Sequence, residues 1–157
     1  MAVFVKDILS RNVISVHRAT TLKQLVQMFS KFHTFPLVPV VDEQTHLVGT
    51  VLFENILDIF KPYRHEILKS IPLIDRQEAD ILSFDIDPTM GELLVVDDLM
   101  AKKFIAVKIT DTLEHVYEIM RVNNKDVFPV VDDHNQLVGI IGLFDIVMSM
   151  FKEKGIV

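Results

Sequence analysis

Asp145, Asn55 and the histidines at 17, 33, 46, 65, 115 and 134 have the widest chemical scope in this chain. No histidine stands four residues from another, and none sits in a ligand-spaced cluster with carboxylates, so no zinc site is expected. Asp85-Ile86-Asp87 and Asp97-Asp98 offer hard oxygens to a cation, but the EF-hand spacing is absent and solvated acids account for both runs. The glycines at 49, 91, 139, 142 and 155 form no phosphate-cradling loop, and no nucleophile motif surrounds any serine. With no positive sign of catalysis, the expectation is a protein that is not an enzyme. Binding chemistry remains. Asp145 opens an apolar helical run, where a carboxylate stabilises the helix start by itself and can also accept a ligand's hydrogen bonds. Asn55 holds the matching place earlier in the chain, as an ordinary cap residue or a neutral ligand contact.

That match is one of many, because the chain repeats itself. Val5-Lys6-Asp7-Ile8-Leu9 returns as Val96-Asp97-Asp98-Leu99-Met100, and Thr21-Leu22 returns as Thr112-Leu113. Pro39-Val40-Val41-Asp42 and Leu47-Val48-Gly49 return as Pro129-Val130-Val131-Asp132 and Leu137-Val138-Gly139. The offset is 91 residues for the first pairs and 90 for the later ones. One supersecondary unit used twice usually means that one copy cannot bury its own apolar face. Two copies about a pseudo-twofold axis create two related clefts, the natural place for a function.

Each copy reads as strand, helix, strand, strand, helix. In the first, Val13 to Val16 is β-prone, and Thr20 and Thr21 offer cap oxygens to a helix with the stripe Leu22, Leu25, Val26, Phe29 and Phe32. Leu37–Val41 and Leu47–Leu52 are strands around a polar turn, followed by a helix from Glu54 to Phe60 that Lys61-Pro62 stops. In the second, Phe104–Val107 is the first strand, and Asp111-Thr112-Leu113-Glu114 reads as a capping box. Leu113, Val116, Tyr117 and Met120 form the stripe, Val127–Val131 and Leu137–Ile141 are strands, and a helix runs from about Phe144 to Lys154 with Gly155 at C′. The expected divisions are 1–60, 61–95 and 96–157. The middle one carries Pro62, Pro72 and Pro88, so it holds no long helix and reads as a partly ordered insert.

Apolar residues make up 50% of the chain and the mean hydropathy is +0.34, which argues for a large core, an interface between copies, or both. Val147, Met148, Met150 and Phe151 supply an adaptable apolar helix face suited to a homodimer. No apolar stretch approaches 18 residues and no signal peptide is expected at the start, so no membrane insertion is expected. The net charge is −6 and no region is basic, which argues against nucleic acid as a partner. Absence of cysteine excludes disulfides and fits a cytoplasmic location.

An apolar strand into Pro-Val-Val-Asp, a polar turn, then Leu-Val-Gly and a strand into an acidic helix start resembles the cystathionine-β-synthase-type (CBS) domain. The tandem pair is similar to a Bateman module, and the resemblance covers residues 4–60 and 96–152. It implies an α/β (α+β) fold of two β-α-β-β-α units packed about a pseudo-twofold axis. It also implies a regulatory sensor that binds AMP, ADP, ATP or S-adenosylmethionine in its clefts, requires no cofactor, dimerises, and regulates an attached or partner enzyme, channel or transporter. A dimerisation or docking module without a ligand is the alternative. By the resemblance, Asp145 takes the ribose diol, flanked by Phe144, Val127, Phe128 and Asn12-Val13-Ile14 of the other copy. The matching cleft draws on Asn55, Glu54, Leu37, Val38, Lys103 and Phe104. The sequence departs from the family pattern. Gly142 and Leu52 stand where Ser or Thr is usual, Asn55 stands for Asp, and Leu37 and Val127 stand where many members carry a base. The Asp145 cleft is therefore expected to be the stronger.

Overall fold

Both Pro-Val-Val-Asp segments fold back on the Leu-Val-Gly run that follows them. The computed structural model describes residues 2–30, 37–52, 56 and 87–157. Its elements are α1 (Val5–Ile8), α2 (Leu22–Phe29), β1 (Val38–Val41), β2 (Leu47–Val51), α3 (Met90–Leu93), α4 (Val96–Leu99), β3 (Val107–Lys108), α5 (Leu113–Asn123), β4 (Val127–Val131), β5 (Leu137–Gly142) and α6 (Leu143–Glu153). β1 and β2 form an antiparallel pair with Val40 opposite Gly49, and β4 and β5 another with Val130 opposite Gly139. β3 adds to β4 in parallel, Val107 beside Val130. Its counterpart in the first half is a single parallel bridge, Val16 beside Val40.

The polar turns are built alike. Asp42 Oδ1 accepts the amides of Gln44 and His46, and Asp132 Oδ1 accepts those of His134 and Gln136. An Asp at this point closes the turn with its own carboxylate. The turns also join the halves. Leu47 N–H donates to Asn135 O, Leu137 N–H to Thr45 O, and the Gln136 side chain to Gln44 O. His46 bridges Gln136, its own counterpart in the repeat, so the pseudo-twofold axis passes between them.

The leading helices exchange. Val5 is fully buried in the core of the second half, with Val107, Val116, Phe128, Val130 and Ile141. Val96 is fully buried in the core of the first, with Val16, Leu25, Phe29, Val40 and Val51. The docking bonds repeat across the axis. Val5 N–H donates to Asp111 O and Val96 N–H to Thr20 O, while Lys6 N–H donates to Ile109 O and Asp97 N–H to Arg18 O. Each half thus completes its core with a helix from the other copy.

Crossing chains explain two of the glycines. A Cβ on Gly49 would stand 2.7 Å from Met100 Sδ and 3.1 Å from Ala101 O. A Cβ on Gly139 would stand 2.2 Å from Ser10 O. Ser10 pairs with Ile140 and Ala101 with Thr50 at these crossings, and only glycine lets the backbones approach so closely.

The structure revises several local expectations. Residues 13–15 and 104–106 are not strand, because they cross between halves without a neighbouring strand to pair with. Asp111-Thr112-Leu113-Glu114 is not the capping box. Thr112 is the N-cap and its Oγ1 accepts the His115 amide, while Asp111 turns back to accept the Lys108 amide at 2.8 Å. The box forms in the first half instead, between Thr21 and Gln24. Val26 and Tyr117, equivalent positions in the repeat, are 46% and 45% exposed, so both helices bury a narrower stripe than expected. α6 ends as expected. Gly155 has φ 70° and the Ile156 amide returns to Phe151 O, a Schellman stop. The helix expected over 54–60 lies outside the described residues except for Ile56, which is buried in the first core. Of the insert, only 87–95 are described, and they include α3, which docks on α2 through Gly91 against Lys23.

Candidate functional site

β5 runs into α6 without a loop, which fixes the start of that helix against the sheet. Val127 lies opposite Gly142, and the Leu143 amide donates to Asp126 O at 2.8 Å. Gly142 is the N-cap and Asp145 the third helical residue. The Gly142 amide donates to Asp145 Oδ2 at 2.8 Å. Asp145 therefore caps its helix, as Asp7 and Asp98 do by accepting the amides of Phe4 and Val95. Among the described residues no hydrogen bond reaches its Oδ1, which stays available to a ligand.

The crossing chain is a strap. Ser10 and Ile140 exchange both backbone bonds at one end, on the second half. At the other end Val16 N–H donates to Pro39 O and Val41 N–H to Val16 O, on the first half. Between these anchors, among the described residues, the backbone makes one hydrogen bond, from Val13 N–H to Arg11 O. Val13 and Ser15 are nevertheless half-buried. Arg11, Asn12 and Ile14 are exposed, so the backbone groups between the anchors are open to solvent or to a ligand. The equivalent strap, from Ala101 on Thr50 to Val107 on Val130, leaves residues 102–106 in the same condition.

The expected site residues are scattered. The Val127–Gly142 pairing puts Val127 at the β5–α6 junction with Asp145, whereas Asn12-Val13-Ile14 follow Ser10, which pairs antiparallel with Ile140, and so leave β5 in the direction away from Gly142. Phe144 projects from the same junction, 73% exposed. Phe128 is buried in the second core, and Leu37 and Val38 are buried in the first half, so none of the three offers its side chain to a ligand. Lys103 is exposed and Phe104 half-buried on the second strap. Glu54 and Asn55 lie outside the described residues. Sequence reading did not find the unbonded strap backbone. Its signal was the equivalence of residues 10 and 101, which fixes two crossings with a five-residue span beyond each.

Electrostatics outside this junction serve the turns. Burial works to raise the Asp42 carboxyl, but the amides of His46 and Gln44 and the His46 ring, 3.1 Å away, hold it below its usual range. The Gln136 amide lowers Asp132 against the effect of burial, aided by the His134 amide and the charges of His134 and His46. The acidic runs considered for a cation are used in the fold. Asp87 accepts the amide and hydroxyl of Thr89, and Asp97 pairs with Arg18 at 3.8 Å. Among the described residues no group of three metal-binding side chains occurs, and no helix is long and apolar enough to cross a membrane.

Two repeated α/β halves, interlocked by exchanged helices and joined by reciprocal straps, define a tandem repeat module. The chain belongs to the CBS domain family, whose family model matches residues 5–62 and 96–152, one match per copy. It is 25% identical over 153 residues to the uncharacterized protein MJ1426 of Methanocaldococcus jannaschii, covering 93% of this chain and 90% of that one. It is 30% identical over 82 residues to inosine-5′-monophosphate dehydrogenase of the same organism, covering 50% of this chain but 16% of the enzyme. Among solved structures, the CBS domain pair of protein MJ0100 in complex with 5′-methylthioadenosine and S-adenosyl-L-methionine has a TM-score of 0.65 at 23% identity, covering 98% of this chain and 99% of that one. CBSX2 in complex with AMP has a TM-score of 0.68 at 21% identity, covering 96% and 98%. The cytosolic domain of the Mg2+ channel MgtE in complex with ATP has a TM-score of 0.63 at 19% identity, covering 90% and 46%. These structures establish the fold as that of a CBS domain pair.

Proposed function

We propose that this chain is a non-catalytic regulatory module that senses an adenosine-containing ligand in the clefts between its halves. The carrying observation is Asp145 at the start of α6, whose Oδ2 accepts the Gly142 amide while no hydrogen bond among the described residues reaches Oδ1, together with a strap from Ser10 to Val16 that crosses between the halves with one backbone hydrogen bond between its anchors. Such a site offers a base edge a backbone donor and acceptor, and offers a ribose diol a carboxylate. The complexes of MJ0100, CBSX2 and MgtE with adenosine compounds support this class of ligand. The working divisions are 1–60, 61–95 and 96–157, with Asp145, Phe144, Val127 and Asn12-Val13-Ile14 in the stronger cleft. Asn55, Glu54, Lys103, Phe104 and the backbone of Leu37 and Val38 belong to the weaker one. Calorimetry with AMP, ATP, 5′-methylthioadenosine and S-adenosylmethionine tests the proposal, and saturable binding of at least one is expected. No binding of any at millimolar concentration would sink it.

A second reading, dimerisation or docking, has its own observation. Val26, Tyr117, Met150 and Phe151 are large, apolar and exposed on α2, α5 and α6. We assign this surface to a homodimer in the cytoplasm that acts on a partner enzyme or transporter. Sedimentation at micromolar concentration showing only an 18.0 kDa species would remove the dimer.

A further inference from the structure

Among the described residues, Thr50 alone is both polar and buried, at 3% exposure. It stands on β2 opposite Pro39, next to Val51. Alternation along the strand turns it away from the face that Val38, Val40 and Val51 give to the first core. Its amide and carbonyl are both bonded to Ala101, where the second strap begins. The hydroxyl has no such use, since no hydrogen bond among the described residues reaches Oγ1. Every fully enclosed side-chain oxygen or nitrogen among those residues has a partner. The Thr50 hydroxyl, which has none, therefore lies against open space. Ile140, its counterpart in the repeat, pairs with Ser10 in the same way and carries no polar side-chain atom.

Folding does not account for that hydroxyl. Valine has the same shape and the same preference for a strand, and it would be buried without the cost of an unmade hydrogen bond. A polar atom so placed calls for a partner from outside the fold. The adjoining strap is open in the same way, with residues 102–106 unbonded until Val107 joins Val130. A threonine oxygen both donates and accepts, which suits the edge of an adenine, where ring nitrogens accept and the amino group donates. We propose that Thr50 is a specificity-determining residue of the cleft at the second strap, its hydroxyl pairing with the base edge of an adenosine compound. The inference rests on the adenosine-site reading and adds to it a base contact in the weaker cleft.

The test titrates the full chain with AMP and with S-adenosylmethionine by calorimetry and follows thermal unfolding without ligand, for the wild type, Thr50→Val and Thr50→Ser. The wild type is expected to show two binding events with at least one probe, the tighter at Asp145. Thr50→Val should weaken the second event about fivefold, the worth of one neutral hydrogen bond, and leave the first unchanged. Without ligand, Thr50→Val should unfold at the wild-type temperature or above it, because no bond within the fold is lost. Thr50→Ser keeps the hydroxyl and should keep the second affinity, which separates loss of the bond from change of shape. A lower unfolding temperature for Thr50→Val would put the partner of the hydroxyl within the fold or in a resident water, and would overturn the inference. An unchanged second event in Thr50→Val, or a wild type with a single event, would overturn it too. A wild type that binds neither probe overturns the site reading itself.

Discussion

At the two crossings the halves agree almost bond for bond, and at the two helix starts they part. Ser10 on Ile140 and Ala101 on Thr50 make the same pair of backbone bonds, each beside a glycine that the crossing chain requires. A few residues further on, the sequence has Asp145 and Gly142 in the second copy where the repeat has Asn55 and Leu52 in the first. Backbone geometry constrains the crossings, because a Cβ would land on another main chain. Helix starts carry no such constraint and are free to specialise. The chemical difference between the copies thus lies outside the interlocked framework.

Breaking the framework should have the largest effects. Gly139→Ala puts a Cβ 2.2 Å from a backbone oxygen that cannot move without losing the Ser10–Ile140 pair. A loss of about 3 kcal/mol in urea unfolding is expected. Gly49→Ala meets first the end of the flexible Met100 side chain, so about 1 kcal/mol is expected there. Equal losses would mean that the two crossings are constrained alike.

Next come the exchanged helices. Val5→Ala and Val96→Ala each remove a fully buried side chain and should cost about 2 kcal/mol. The informative readout is location. Hydrogen exchange should rise first in the second half for Val5→Ala and in the first half for Val96→Ala. The opposite pattern would contradict the exchange.

Smaller still is the effect of acid on the joining turns. Asp42 and Asp132 are held below their usual range, so the stability they give is present at neutral pH and is lost as pH falls through their folded values, below about pH 4. Asp42→Asn should lower stability at pH 7 and flatten that acid limb. An unchanged acid limb would show that the turn does not depend on the charge.

Much of this framework was legible in the sequence. The hairpins were plain because Pro-Val-Val-Asp and Leu-Val-Gly flank turns that Asp42 and Asp132 close locally. The stripes of α2 and α5 were plain at Leu22, Leu25 and Phe29 and at Leu113, Val116 and Met120, where the spacing reports burial, but Val26 and Tyr117 were counted in and are exposed, and Phe32 lies outside the described residues. Exchange of the leading helices was not legible. A repeat shows that Val5 and Val96 are equivalent but not which half each one enters. The straps were misread as strands because Val13-Ile14 and Phe104-Ile105 have β-prone side chains, while pairing depends on a neighbour the sequence does not display. Asp145 was legible as a helix-start carboxylate. That its Oδ2 accepts the Gly142 amide while no hydrogen bond among the described residues reaches Oδ1 needed the structure.

The central claim is that an adenosine compound binds against Asp145. Asp145→Asn keeps an oxygen that can still accept the Gly142 amide, so α6 stays capped while the charge is lost. Calorimetry with AMP and S-adenosylmethionine should show affinity falling about ten- to a hundredfold, whereas Asn55→Ala changes little. Full affinity in Asp145→Asn, with its fold intact, would contradict the account.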